Sequence, residues 1–165
     1  MQLIEYNDIS KLLDLNIEDK DFDELCLNAA YSEVQKQIGY TLEFEEKCEN
    51  LTVKDNRVIL DCINLVKVTE INDLTKKYDI TNFTVDYTNK SIYFVPCKAD
   101  EHQIFITYES GYTKESLPAD LKEAIIHLFL YKQQKIRNTV NNEDNAKSIP
   151  DEIKQIIARY NRKSL

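Results

Sequence analysis

Glycine, proline and histidine are scarce in this sequence, and their scarcity excludes several kinds of site. The 165 residues include two glycines, three prolines and two histidines. A phosphate-binding loop places several glycines in one short segment, so nucleotide-binding loops of that kind are excluded. Collagen-like and low-complexity chains, which are rich in glycine or proline, are excluded as well. We therefore expect an ordinary folded chain with few tight turns.

The two histidines lie in contexts that favour structural roles. His102 follows two acidic residues in a segment typical of a turn, and His127 lies beside the apolar face of a predicted helix. A histidine beside an apolar face is more often a packing or hydrogen-bonded residue than a catalytic base. The sequence therefore predicts no catalytic residue, and we expect a protein that is not an enzyme and uses no cofactor.

No two of the four cysteines are spaced as a C-x-x-C pair. Cys26 and Cys62 lie in apolar sequence and are predicted to be small buried side chains. A disulfide framework is not expected in a cytosolic chain of this length. A zinc site formed by Cys48, Cys62, Cys97 and His102 is the alternative, but its spacing is irregular. Plain packing is therefore favoured, and no metal is predicted.

Long apolar runs are also lacking. Residues 1–8 include Glu5 and Asp8 and do not resemble a signal peptide. No stretch approaches the ~18 to 20 apolar residues of a membrane-spanning helix. We expect a soluble protein that is intracellular when made and consists of one domain over residues 1–165.

A strand followed by a long helix is the strongest pattern in the sequence. Gln103–Glu109 (QIFITYE) alternates apolar and polar residues, as a half-buried strand does. Gly111 then permits a turn that other residues resist, and Pro118 suits the first turn of a helix. We predict this helix over residues 117–137. Its buried face is predicted to carry Leu121, Ala124, Ile125, Leu128 and Ile136.

Residues 1–39 are predicted to be helical. Asp8 or Ser10 is expected to cap a short first helix, and a longer helix is expected from Lys20 to Ile38, ending at Gly39. The acidic cluster at the start of the second helix lacks the ligand spacing of a calcium loop, so we interpret it as a solvated helix start. The predicted buried face of the second helix is Phe22, Leu25, Cys26, Ala29, Ala30, Val34 and Ile38.

Residues 40–110 show the alternation of short strands. The predicted strands before Gln103 are Thr41–Glu46, Arg57–Leu60, Val66–Leu74, Phe83–Tyr87 and Ser91–Val95. The turn residues 88–90 predict a hairpin between the last two of these, and Pro96 ends the second or places it at an edge. The fold class is therefore α+β, with helices before and after a small central antiparallel sheet of five or six strands.

The C-terminal part consists of a polar segment and a short helix. Residues 138–148 (NTVNNEDNAKS) are almost wholly polar and are predicted to be a mobile loop. Residues 149–165 are predicted to form a short helix, which needs a surface for its isoleucine face because it is marginal alone. One prediction is a hinged helix that binds a partner through Ile153, Ile157, Arg159, Tyr160, Arg162 and Lys163. The alternative is a helix that folds back beside the helix over 117–137.

Charge is unevenly distributed along the chain. The net charge of −8 divides into −9 over residues 1–50, −2 over 51–111 and +3 over 112–165. Solubility and helix-end charges explain this distribution most simply, and an acidic end of one copy meeting a basic end of another is the alternative. Charged and amide residues cover most positions outside the predicted buried faces, so we expect weak self-association of the isolated protein.

Three stretches together resemble a known family. Tyr108–Arg137 contains a strand ending in tyrosine, then Gly-Tyr, then LPADLKEAI, and it is similar to the signature segment of phage head–tail connector proteins. These are the small adaptor or head-completion proteins of long-tailed phages. Ile17–Gly39 is similar to their first long helix, and Ile149–Arg162 is similar to their closing helix. The middle of the chain resembles the family only in the succession of its short predicted strands.

The resemblance implies a structural protein of the virion neck, between the capsid and the tail. It implies a ring of about twelve copies that binds the portal protein, extends the DNA channel and offers a docking platform to a stopper or tail-completion protein. Genomic DNA would pass through the lumen without specific binding, and carboxylates of the acidic half would repel its phosphates. The resemblance implies no catalysis and no membrane.

Two alternative functions remain at this point. One is a nucleic-acid-binding protein of DNA packaging, for which the helix over 117–137 offers Lys122, Lys132, Lys135 and Arg137. The acidic net charge and the preceding strand count against it, and the ten tyrosines also suit protein interfaces. The other alternative is a neighbouring neck or tail-completion protein.

We predict that Leu121→Asp or Ile125→Asp unfolds the protein. Each substitution places an unpaired charge on the predicted buried face, which costs several kcal/mol. A domain of this size has a free energy of unfolding of only ~5 to 15 kcal/mol. Circular dichroism melts test the prediction, and native melts for both variants would mean that the helix is wrongly oriented.

Overall fold

The fold combines four helices with six strands in the described part of the chain. The structure is a computed structural model that describes residues 2–15, 19–73, 82–95, 102–140 and 149–161. The helices are α1 (Tyr6–Leu13), α2 (Lys20–Ile38), α3 (Ala119–Val140) and α4 (Asp151–Arg159). The strands are β1 (Glu45–Val53), β2 (Arg57–Ile59), β3 (Leu65–Asp73), β4 (Phe83–Asp86), β5 (Ser91–Phe94) and β6 (His102–Ser110). The predicted α+β class is confirmed.

The chain divides into two compact units. The helical unit comprises Met1–Thr41 and Thr113–Leu165, and the sheet unit comprises Leu42–Tyr112. The sheet unit is therefore inserted between two parts of the helical unit. Each unit has its own buried core, and the folding of the chain as one domain stays a prediction.

Helix α1 begins at Tyr6, directly after Glu5, and a local hydrogen bond stabilises this start. The Asp8 carboxylate accepts the Glu5 N–H at 3.0 Å, which satisfies a donor that the helix leaves unpaired. This hydrogen bond lowers the pKa of Asp8, and the Lys114 ammonium, 3.6 Å away, lowers it further. The prediction that Asp8 or Ser10 is the N-cap residue is wrong, since Glu5 is the N-cap and both residues lie inside α1, where Asp8 completes the capping box.

The buried faces of α2 and α3 were predicted in part. In α3, the predicted Leu121, Ala124, Ile125 and Leu128 are buried, whereas Ile136 is exposed and Phe129 and Gln133 take its place. In α2, the predicted Cys26, Ala30, Val34 and Ile38 are buried, together with Asp23, Leu27 and Tyr31. Leu25 is 62% exposed and Ala29 is also exposed. The two residues are four positions apart and so share one side of the helix, which lies next to the buried face. The predicted burial of Leu25 and Ala29 is therefore wrong.

Helix α3 is longer than its sequence predicts. It runs to Val140, and the Thr139 hydroxyl donates a hydrogen bond to the Lys135 carbonyl at 2.8 Å. The prediction of a polar loop over 138–148 is therefore wrong for residues 138–140, which are helical, and residues 141–148 lie outside the described residues.

Two antiparallel sheets of three strands, rather than one sheet, form the sheet unit. The strand orders are β1-β6-β3 and β2-β5-β4, so β6 and β5 are the central strands. Both sheets contribute to one apolar core, which includes Ile104, Ile106 and Tyr108 from β6 and Ile92 and Phe94 from β5. The predicted strand at 103–109 is confirmed as β6. His102 is the first residue of β6. The prediction that His102 lies in a turn is therefore wrong.

The predicted hairpin of β4 and β5 is confirmed. Phe83 pairs with Phe94, and Asp86 pairs with Ser91 at the end next to the turn. The Asp86 carboxylate accepts the Asn89 N–H at 3.0 Å, and this hydrogen bond holds the turn and lowers the pKa of Asp86. Pro96 lies outside the described residues.

The chain enters and leaves the sheet unit at one crossing. The Phe44 N–H donates to the Tyr112 carbonyl at 3.0 Å, and the Tyr112 N–H donates to the Leu42 carbonyl at 2.8 Å. Gly111, at φ 100°, allows this approach, because a Cβ atom there would lie 2.2 Å from the Glu43 carbonyl oxygen. The predicted turn at Gly111 is thus also a point of close backbone contact.

We predict that Gly111→Ala destabilises the protein more than Gly39→Ala. Both glycines have positive φ, so each alanine costs about 1 to 2 kcal/mol through backbone strain. Gly111→Ala adds ~1 to 3 kcal/mol, because the Glu43 backbone must move. Urea denaturation measures both free energies of unfolding. Equal losses for the two variants would contradict the close approach at Gly111.

Candidate partner-binding site

Helix α4 carries three of the six side chains that were predicted to bind a partner, namely Ile153, Ile157 and Arg159. Ile153 and Ile157 are buried in the helical unit, where α4 packs against α3 and α2. The spacing of four residues places both isoleucines on one face of the helix. For these two side chains, the structure follows the alternative in which the tail folds back beside α3.

The carboxylate of Asp120, at the start of α3, binds two side chains at the end of α4. The Tyr160 hydroxyl donates to Asp120 Oδ1 at 2.7 Å, and Arg159 Nη2 lies 3.3 Å from Asp120 Oδ2. The Asn161 side chain donates to the Gln37 carbonyl at 2.7 Å, which satisfies an acceptor in the last turn of α2. These bonds fix the orientation of α4 on the helical unit.

The predicted partner-binding residues thus differ in their access to solvent. Arg159 has a side chain that is 64% exposed, Tyr160 is half-buried, and Ile153 and Ile157 are covered within the chain. Arg162 and Lys163 lie outside the described residues. The partner-binding role of all six residues stays a prediction, and Arg159 is the described one whose charge faces solvent.

A buried polar pair joins α2 and α3, and the sequence interpretation missed it. The Gln133 side-chain amide donates to Asp23 Oδ1, and both residues are buried. Asp23 was interpreted as part of a solvated helix start, which is wrong for this residue. Its position three residues before Cys26 and seven before Ala30, on the buried row of α2, is the sequence signal that could have revealed it.

A second, exposed link lies one turn before Asp23. Arg137 Nη2 lies 2.9 Å from Asp19 Oδ2, and its guanidinium lies 5.5 Å from the centre of the Phe22 ring. Exposed pairs of this kind contribute little stability. The link does, however, give an acidic neighbour to Arg137, one of the four basic side chains that a nucleic-acid-binding helix was expected to offer.

The described cysteines and His127 differ in their exposure to solvent. Cys26 and Cys62 are buried, as predicted, and burial raises the pKa of the Cys62 thiol to about 11. His127 is exposed, not packed, and lies 3.6 Å from Glu123. Of the zinc ligands considered, Cys48 is exposed, and Cys97 lies outside the described residues. Within the described ranges, no group of three or more His, Cys, Asp or Glu side chains is placed to hold a metal ion.

None of the described helices is long and apolar enough to cross a membrane.

Comparison with known proteins gives one family. A family model described as "Head completion protein" matches residues 2–163. No curated protein matches the chain.

Solved structures of gene transfer agent (GTA) particles share the fold. One, described as the neck of the native GTA particle computed with C12 symmetry, is 16% identical with a TM-score of 0.55, over 84% of this chain and 81% of that chain. Another, the neck of the empty particle computed with C6 symmetry, is 17% identical with a TM-score of 0.56, over 86% and 78%. A third, from the virion of the native particle, is 18% identical with a TM-score of 0.58, over 90% and 80%. At these identities the likeness is one of fold.

We predict that Asp23 and Gln133 are strongly coupled. Gln133→Leu leaves a buried carboxylate without its amide donor and should cost about 3 kcal/mol or more. Asp23→Leu leaves the amide unpaired and should cost ~1 to 3 kcal/mol. The double variant replaces both polar groups with apolar ones, and its stability should return to within ~1 kcal/mol of the parent chain.

Urea denaturation of the four chains gives the coupling energy directly. Gln134→Leu, at the exposed position next to Gln133 in α3, makes the same exchange and serves as the control for an added leucine. Additive losses in the double variant would show that the two side chains do not depend on each other.

Proposed function

This chain belongs to the head completion protein family, and on that premise we propose that it is a head–tail connector that forms a ring on the portal. The family is one of virion structural proteins and not of enzymes. The observation that carries the proposal is the extent of the match, which spans residues 2–163 and so includes both units.

In this role the protein lies in the virion neck, between capsid and tail. About twelve copies surround the DNA channel, and the C12 symmetry of a neck with the same fold supports this copy number. The ring binds the portal on one side and a stopper or tail-completion protein on the other. DNA passes through the lumen without specific binding, and the acidic residues of positions 1–50 limit its adhesion.

The basic end of the C-terminal tail is proposed to bind the portal or a neighbouring copy. Arg159 is the described part of that basic end, and its side chain is 64% exposed beside the half-buried Asp120 carboxylate. Asp120 also accepts the Tyr160 hydroxyl, so it keeps a hydrogen-bond donor when Arg159 turns to a partner carboxylate. Arg162 and Lys163 follow it in the sequence and would extend the same positive charge.

The nucleic-acid-binding alternative finds less support. Arg137 of α3 is paired with Asp19, and strand β6 rather than a short helix precedes α3 in the chain. A helix-turn-helix needs that preceding helix. A neighbouring neck or tail-completion role remains the second alternative, and binding to the portal separates it from the connector role.

We predict that reversing the charges at Arg159, Arg162 and Lys163 to glutamate weakens portal binding by at least about tenfold, as lost charge complementarity would. The melting temperature should change by only a few degrees, because the Arg159 side chain is 64% exposed and the Tyr160 hydroxyl still bonds Asp120 in the variant. Co-sedimentation with purified portal rings measures the binding, and negative-stain imaging shows the ring.

Lys154→Glu, which reverses an exposed charge earlier in α4, is the matched control and should bind normally. Full binding by the triple variant would remove the basic tail from the interface. Failure of the unmodified protein to bind the portal would contradict the connector proposal itself.

A further inference from the structure

The outer face of the sheet β2-β5-β4 carries exposed apolar side chains. Arg57 pairs with Tyr93 and Ile59 pairs with Ser91, and alternation places Val95, two residues after Tyr93, on the same face. Ile59 is 62% exposed, Tyr93 is 40% exposed and Val95 is 57% exposed. We define the outer sheet face as Arg57, Ile59, Tyr93 and Val95.

Arg57 is held in place on this face. Its Nη2 and Nε atoms donate to the Ser91 hydroxyl at 2.7 and 3.2 Å, and that hydroxyl donates to the Asn89 carbonyl at 2.9 Å. The guanidinium carbon lies 5.2 Å from the centre of the Tyr93 ring. These hydrogen bonds orient the guanidinium, and the Asp86 carboxylate, which pairs with Ser91 on the same face, interacts with it electrostatically.

This arrangement has the properties of the energetic centre of an interface. Arginine and tyrosine are enriched among the residues that contribute most to binding, and a side chain that is already ordered loses little entropy when a partner arrives. The outer sheet face therefore suits a surface that offers an apolar side chain beside a carboxylate.

Helix α2 of the same protein offers such a surface. Leu25 is 62% exposed, and Asp21, which lies one turn earlier on the same side of the helix, is also exposed. Both belong to the strongly acidic first 50 residues, whose net charge is −9. We define the α2 surface as Asp21 and Leu25.

We propose that the outer sheet face of one copy binds the α2 surface of the next copy. This inference rests on the proposed ring. A ring needs two different complementary surfaces on each subunit, and these two offer an oriented arginine among apolar side chains and an aspartate beside a leucine.

Cysteine cross-linking tests the contact with all four residues of the outer sheet face intact. In a chain with Cys48→Ser and Cys97→Ser, Thr84→Cys lies beside Tyr93 on the sheet, and Ala29→Cys lies one turn after Leu25. A chain with both new cysteines should give a ladder of dimers, trimers and larger species on mild oxidation at high protein concentration. A mixture of the two single variants should give only a mixed dimer.

A charge exchange tests the same contact in solution. Arg57→Glu and Asp21→Arg should each weaken self-association by at least about tenfold, and the two together should restore it to within about threefold of the parent chain. Light scattering and sedimentation measure the association. Lys67→Glu, an exposed charge reversal on β3, is the control and should leave it unchanged.

Each outcome decides the inference. The ladder, together with recovery in the double charge variant, supports it. Absence of any link between positions 84 and 29, both free and on the portal, overturns it even if Arg57→Glu fails to fold. A protein that binds the portal without this link keeps the proposed function and loses the inference. A protein that forms the link but does not bind the portal keeps the inference and loses the proposed function.

Discussion

The close approach of Gly111 to the Glu43 backbone is the constraint on which the sheet unit depends. It allows the entering segment and the leaving segment to exchange hydrogen bonds at Leu42, Phe44 and Tyr112. β6, the central strand of its sheet, ends one residue before Gly111, so the register of β1 and β3 is set from this point. A side chain at this glycine would disturb both sheet neighbours of β6 at once.

The sequence predicted the elements whose pattern is local. β6 alternates apolar and polar residues, and the buried row of α3 from Leu121 to Leu128 repeats at helical spacing, so both were found. β1 was largely missed, because only its first two residues fell within a predicted strand. Its inward positions include Glu45, Lys47 and Glu49, which give no apolar alternation. Pairing with β6 makes it a strand, and the Tyr108 hydroxyl donates to Glu49 at 2.9 Å across that pair.

In the candidate site too, features that depend on neighbouring residues were predicted, and features that depend on residues far apart in the chain were not. The sequence identified an amphipathic C-terminal helix, but the surface that covers Ile153 and Ile157 depends on α2 and α3, far away in the chain. Asp23 was assigned to solvent because acidic residues are common at helix starts. Its partner, Gln133, lies 110 residues later, and no local pattern could connect the two.

The insertion of the sheet unit has a mechanical consequence. Helices α1 and α4 both belong to the helical unit, and the chain passes into and out of the sheet unit only next to Leu42 and Tyr112. A pulling force applied through α1 and α4 therefore reaches the sheet unit at two points that are hydrogen-bonded to each other. Those few crossing bonds would carry the tension first, before any load reaches the strands beyond them.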